Sequence, residues 1–209
     1  MKTKTILAHV LNLAILPALL FLIPGISSCK KAEPPQKRQA VNPYSTESVF
    51  ADIKKRVDEN PRDSDAWYHL ADLYERNGQY QEETEALKKV VELKPNMGYA
   101  YIKMGNAYSR LNQPREAASA LEKAVSLLPD NAVAYNNLGI AYGKTGNRQK
   151  EIQALRKALA IRPSYATARY NLGMAYLATG HAAEAKREYE KLKTIDQGLA
   201  ERLLEKMKK

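Results

Sequence analysis

Proline stands at positions 61, 95, 129 and 163, each 34 residues after the last. Tyr74, Tyr108, Tyr142 and Tyr176 keep that interval, as do Leu70, Met104, Leu138 and Leu172. A third register holds Ala71, Gly105, Gly139 and Gly173, and a fourth holds Leu87, Leu121, Leu155 and Tyr189. A period of this length means repeated supersecondary units that cannot bury their apolar faces alone and must stack on one another.

Within one period the spacing is helical. Tyr101, Met104, Tyr108 and Leu111 fall at steps of three and four, and Ala117, Ala120, Leu121 and Ala124 do so on a second helix. Gly78, Asn112, Gly146 and Gly180 lie between the two helices, where a left-handed residue is needed just past a helix end. Ser64, Asn96, Asp130 and Ser164 are expected to cap the helix that follows each proline. The small residue at 105, 139 and 173 predicts a close approach by the second helix.

An aromatic residue, then Leu-Gly-x-x-Tyr, then Ala, an aromatic or Leu, Ala and Pro resembles the pattern of the tetratricopeptide repeat family. Repeat one spans 64–97 with Trp67, Leu70, Ala71, Tyr74, Leu87, Val90 and Pro95; repeat two spans 98–131 with Tyr101, Met104, Gly105, Tyr108, Ala117, Leu121, Ala124 and Pro129. Repeat three spans 132–165 with Tyr135, Leu138, Gly139, Tyr142, Leu155, Ala158 and Pro163; repeat four spans 166–199 with Leu172, Gly173, Tyr176, Ala185, Tyr189 and Leu192. The resemblance implies an all-α fold, a right-handed superhelical α-α solenoid of about four helix pairs. Val49, Ile53 and Val57 predict an N-terminal half-repeat capping helix over 45–63, and Leu199, Leu203, Leu204 and Met207 a C-terminal capping helix over 198–209. Three departures predict looser packing: Arg169 replaces the aromatic of repeats one to three, and Glu83 and Glu151 replace a small residue.

The N-terminus carries a different message. Lys2 and Lys4 precede an apolar stretch over 6–23, which closes on Ile26-Ser27-Ser28-Cys29, the layout of a secretory signal. An aliphatic residue three before a cysteine resembles the bacterial lipobox, which implies removal of residues 1–28 and acylation of Cys29 with palmitate-type chains. Several chains on one residue anchor a protein stably. The alternative is an uncleaved span of about 18 residues, but His9, Asn12 and Pro17 interrupt it. Residues 29–44, with Pro34, Pro35 and Pro43, are expected to form a flexible tether. The lipobox resemblance implies a lipid-anchored protein of the bacterial envelope. By the same resemblance, Lys30 rather than Asp after the cysteine argues against inner-membrane retention in a Gram-negative cell, so the periplasmic side of the outer membrane is expected.

Catalytic signals are weak. Cys29 is the single cysteine, so an internal disulfide is excluded and acylation leaves no thiol. His69 and His181 lie three repeats apart and cannot share a metal or a proton. Gly139 and Gly143, followed by Lys144-Thr145, have three residues between them where a phosphate loop needs four, and they fall on a helix. Glu82-Glu83 and Asp58-Glu59 read as solvated faces. The chain is therefore expected to be no enzyme and to need no cofactor or metal.

The family resemblance implies that the first helix of each repeat lines a concave surface. That assigns Tyr68, His69, Asp72 and Glu75 from repeat one, and Tyr99, Ile102, Lys103, Asn106 and Arg110 from repeat two. Repeat three adds Asn136, Asn137, Ile140 and Lys144, and repeat four adds Tyr170, Asn171, Met174, Leu177 and Ala178. The apolar residues of the last set point to binding at the fourth repeat. Asn137 and Asn171 share a register with Lys103 and His69, either as amides for an extended peptide backbone or as plain inner-face polar residues. Ile102 and Thr167 occupy two cationic positions of the family's carboxylate clamp, which argues against a C-terminal carboxylate ligand. The expected partner is another protein, bound as an extended peptide or helix, with the membrane engaged through the lipid; nucleic acid and small-molecule substrates are disfavoured. The layout is similar to lipoproteins that assist type IV pilus or secretin assembly, implying a scaffold or adaptor in the envelope. The alternative is a polyanion-binding envelope protein, since the net charge is +10; an enzyme ranks last.

Overall fold

The computed structural model describes residues 46–208. The expected signal segment over 1–28, Cys29 and the expected tether over 29–44 lie outside these residues. Ten helices and no strand occur among the described residues: α1 (Thr46–Glu59), α2 (Ser64–Arg76), α3 (Tyr80–Leu93), α4 (Gly98–Arg110), α5 (Pro114–Leu127), α6 (Ala132–Lys144), α7 (Arg148–Ile161), α8 (Ala166–Ala178), α9 (Ala182–Leu192) and α10 (Gln197–Met207). None is long and apolar enough to cross a membrane. Four hairpins, α2/α3, α4/α5, α6/α7 and α8/α9, stack in order; α1 packs on α2, and α10 packs on both α8 and α9.

Each hairpin turns the same way for the same reason. Gly78, Gly146 and Gly180 have φ of 71°, 80° and 76°, and Asn112 takes φ 57° in their register. The amide after each turn residue, at Gln79, Gln113, Asn147 and His181, donates back to the carbonyl of Tyr74, Tyr108, Tyr142 and Tyr176. This closure satisfies a carbonyl that the helix end would otherwise leave orphaned.

Helix caps differ from expectation by one residue. Asp63 caps α2, accepting from the amides of Asp65 and Ala66, and Asn131 caps α6, accepting from Ala134. Met97 and Tyr165 hold the equivalent places without a side-chain cap. The cap position thus keeps its own 34-residue register, 63, 97, 131 and 165, while Ser64 already lies inside α2.

Packing inside a hairpin is governed by one contact. Leu87, Leu121 and Leu155 are fully buried. A Cβ added at Gly105 would sit 2.5 Å from Leu121 Cγ, and one at Gly139 would sit 2.7 Å from Leu155 Cγ. In repeat four the register holds Tyr189, and Leu203 of α10 fills the space instead, 2.6 Å from where a Cβ at Gly173 would lie. The last helix completes a repeat that cannot complete itself.

The three departures from the repeat pattern are buried, so the expectation of looser packing is corrected. Arg169 Nη1 donates to Glu188 Oε2 at 2.6 Å, and its Nη2 donates to the carbonyl of Pro163. Glu188 stands in the register of Ala86, Ala120 and Ala154, so an aromatic–alanine pair has been exchanged whole for an ion pair. Glu151 is bound by Arg148 at 2.7 Å, and Gly143 leaves room for its carboxylate. Glu83 is a different case, taken up below.

Direct contacts join α4 to α6 and α6 to α8, and no comparable contact joins the second helices α3, α5, α7 and α9 to one another. The first helices therefore lie on the inner radius of the superhelix.

Removing one member of a buried ion pair costs about 3 kcal/mol, whereas replacing both with packed apolar groups is near neutral. Arg169→Tyr alone should lower the unfolding free energy by about that amount. Arg169→Tyr with Glu188→Ala, which restores the pattern of the other repeats, should recover most of it in urea denaturation.

Candidate functional site

The inner face is held together by polar side chains that reach from one repeat to the next. Asn171 Nδ2 on α8 donates to Asn136 Oδ1 on α6 at 3.0 Å. Asn136 Nδ2 donates to Asn137 Oδ1 at 3.0 Å, and Asn137 Nδ2 donates to Asn106 Oδ1 on α4 at 2.8 Å. Four amides thus form one directed relay across three repeats. Asn136, only 3% exposed, is its pivot, and both ends of its amide are spent inside the protein.

From α4 the link to α2 is ionic. Lys103 Nζ lies 2.8 Å from Asp72 Oδ1, also donates to Glu75 Oε2, and sits 5.9 Å from the centre of the Tyr68 ring. Burial alone would depress the Lys103 pKa, but the hydrogen bonds and charges of Asp72 and Glu75 outweigh it and raise it. Burial pushes the Tyr68 phenol up as well, with Lys103 opposing and the two acids reinforcing.

An open groove of about 490 Å³ lies along this face, lined among others by Glu75, Glu83, Asn106, Arg110, Asn137 and Ile140. His69 and Tyr99 are exposed, and Ile140 is half-buried. At the ends of the relay, Asn106 Nδ2 and Asn171 Oδ1 make no hydrogen bond to the protein, leaving a donor at one end and an acceptor at the other.

Four of the residues assigned to the groove from sequence serve the chain itself. Ile102 is 8% exposed and packs with Ala124 and Ala134 between repeats two and three. Tyr170, Met174 and Leu177 pack against the cluster of Leu192, Ala200 and Leu203, under α10. Arg202 of α10 also lies over the Tyr170 ring at 5.2 Å. The apolar end of the predicted groove is the seat of the last helix, so the open apolar surface expected at the fourth repeat is covered by the chain itself.

Glu83 was missed. It is 1% exposed, its Oε2 has no hydrogen-bond partner, and burial first, then the charge of Glu75, push its carboxyl up to about 7. As one of a pair of adjacent acids it reads as a solvated face, but its register, shared with Ala117, Glu151 and Ala185, is an interior one. That register was the available signal. Among the described residues, no cluster of three or more His, Cys, Asp or Glu could hold a metal ion.

Three family models, each described as tetratricopeptide repeat, match residues 64–97, 102–166 and 152–207. The chain belongs to the tetratricopeptide repeat family. Among solved structures it is similar to MamA, at 28% identity and TM-score 0.70, over 75% of this chain and 91% of that one. YrrB, titled a tetratricopeptide repeat protein with an unusual peptide-binding site, matches at 22% identity and TM-score 0.71, over 77% of this chain and 84% of that one. PilW, titled a widely conserved type IV pilus biogenesis factor, matches at 22% identity and TM-score 0.62, over 73% of this chain and 70% of that one. The last two likenesses carry the fold alone. No curated protein matches the chain.

The buried carboxyl makes the stability of this tetratricopeptide array pH-dependent. Folded Glu83 keeps its proton to about 7, while the unfolded side chain loses it near 4.5. Between those values the native state binds more protons, so this contribution is complete below pH 4.5 and is lost as the pH rises through 7. Glu83→Gln should remove the slope and exceed the wild type at pH 8 by on the order of 2 kcal/mol. Urea midpoints at pH 4, 6 and 8 measure it; parallel pH profiles for the two proteins would contradict the assignment.

Proposed function

We propose that the protein is a membrane-anchored interaction scaffold of the bacterial envelope that holds an extended segment of another protein along the inner face of repeats one to three. The observation that carries this is the asparagine relay bordering the groove. The spare donor at Asn106, which lines the groove, suits the carbonyl of a peptide backbone. Ile140 adds an apolar contact beside it. The scaffold role, as opposed to catalysis, is supported by the family and by the commitment of Lys103, Asp72 and Asn136 to bonds between repeats. Anchoring is supported by Ile26-Ser27-Ser28-Cys29 and the proline-rich stretch after it, and Lys30 favours the outer membrane of a Gram-negative cell. A fixed lipid, a short tether and a rigid inner face suit a protein that positions a component of an assembling envelope complex, such as a type IV pilus or a secretin.

A polyanion-binding role has its own observation. Residues 46–97 hold 12 acids and 8 bases, a net of −4, while residues 98–209 hold 10 acids and 19 bases, a net of +9. The two readings separate on salt, because polyanion affinity falls steeply with ionic strength.

Crosslinking in native cells tests the groove. Asn106→Ala with Asn137→Ala should abolish the crosslinks made by the folded protein, while Arg156→Gln with Arg187→Gln should leave them intact. Retention of every crosslink in the asparagine variant overturns the groove, and loss only in the arginine variant favours the polyanion. Lipidation is read separately. Cys29→Ala should shift the protein from the membrane to the soluble fraction and remove the acyl mass.

A further inference from the structure

Glu83 on α3 and Glu151 on α7 occupy the same place in their repeats, with Ala117 and Ala185 in the other two. Both glutamates are buried. Glu151 takes its cation from its own helix: Arg148, three residues earlier, donates to Oε2 at 2.7 Å. In the first repeat the place of Arg148 belongs to Tyr80, which carries no cation, and Glu83 Oε2 has no partner. Its neighbours do not make good the deficit. Asp72 and Glu75 of α2 are both negative, and Lys103 of α4 is already committed to those two. Arg110 of α4 and Tyr80 line the same groove without bonding Glu83. A buried acceptor left unpaired loses its hydration without return, a cost that repeat three avoids and repeat one does not.

The unpaired carboxyl is a wall of the groove. We propose that the first-repeat end of the groove receives a cationic side chain, an arginine or lysine of the bound segment, whose donors complete Glu83 and Glu75. The bound segment supplies in repeat one what Arg148 supplies in repeat three. Arginine suits the place better, because a guanidinium has five donors in a fixed fork and can bridge two carboxylates and a side-chain amide at once. This deepens the assignment of the inner face as a partner surface and rests on it.

Protonation adds a signature. A cation binds the ionised carboxylate, so a carboxyl pushed up to about 7 releases its proton as the ligand enters. Affinity for the cation then rises as the pH rises from 6 to 8, by about tenfold, and levels off above that range.

The probe is an acetylated and amidated Gly-Ser-Arg-Ser-Gly peptide, titrated by calorimetry into the full chain in nanodiscs, beside the same peptide with citrulline for arginine. The arginine peptide is expected to bind about tenfold more tightly at pH 8 than at pH 6, and the citrulline peptide to bind more weakly without pH dependence. Glu83→Gln should erase both the preference and the pH dependence. Tyr80→Arg, which gives repeat one the internal cation of repeat three, should do the same in a protein whose helical circular dichroism is intact. Asn106→Ala with Asn137→Ala should weaken both peptides by one factor, because it reports the backbone contact. If arginine and citrulline peptides bind alike and the asparagine variant weakens both, the cation pocket is overturned while the groove stands. If the asparagine variant and Glu83→Gln both leave binding unchanged, or neither peptide binds at either pH, pocket and groove fall together.

Discussion

Each of the first three hairpins is set by one buried contact, a leucine of the second helix pressed on a residue of the first that has little or no side chain. Leu121 on Gly105 and Leu155 on Gly139 leave no room for a Cβ, and Leu87 meets Ala71 in the first repeat. Because the contact recurs every 34 residues, each pair has nearly the same shape and must be followed by another. Curvature follows, since α4 touches α6 and α6 touches α8 while no comparable contact joins the second helices. Where the period fails, at Tyr189, the array stops: α10 inserts Leu203 over Gly173 and closes the open face.

The inner radius has a constraint of its own. First helices crowd there, so their side chains meet across repeats, and a polar side chain so placed has to find a partner or lose its hydration. Lys103 with Asp72 and Glu75 is one solution, and the four asparagines are another. Both tie neighbouring repeats together through side chains, and both also decide which surface a ligand can use. What these networks leave over on the inner face is the two ends of the amide relay, the exposed Tyr99 and His69, and the unpaired carboxyl oxygen of Glu83.

The hairpins and their turns, seen four times, and the close leucine contact, seen in several repeats, were legible in the sequence because a recurring feature separates itself from chance. Features that occur once were harder. Met174 and Leu177 lie on the expected inner face, but nothing local distinguishes an apolar surface that awaits a ligand from one covered by the chain's own last helix. Ile102 was misplaced similarly, because the wall between two repeats is built from residues that no single repeat contains. The cap register slipped by one residue because Ser64 and Asp130 are as good capping types as Asp63 and Asn131, and only backbone geometry chooses between them.

Glu83 was misread because adjacent acids on a helix usually face water, a rule that ignores the repeat. Position within the period is stronger evidence than composition of the neighbourhood, since the same place in α5 and α9 holds alanine. Departures from the period then sort by whether the chain answers them. Arg169 is answered in charge by Glu188, although its buried Nε has no hydrogen-bond partner, and Glu151 is answered by Arg148 and Gly143. Glu83 Oε2 has no answering residue, and it faces a stretch of inner wall where the spare amide donor of Asn106 and a groove coincide. A repeat that stays incomplete where a segment could lie carries its complement in the partner, and the chemistry missing there is a positive charge.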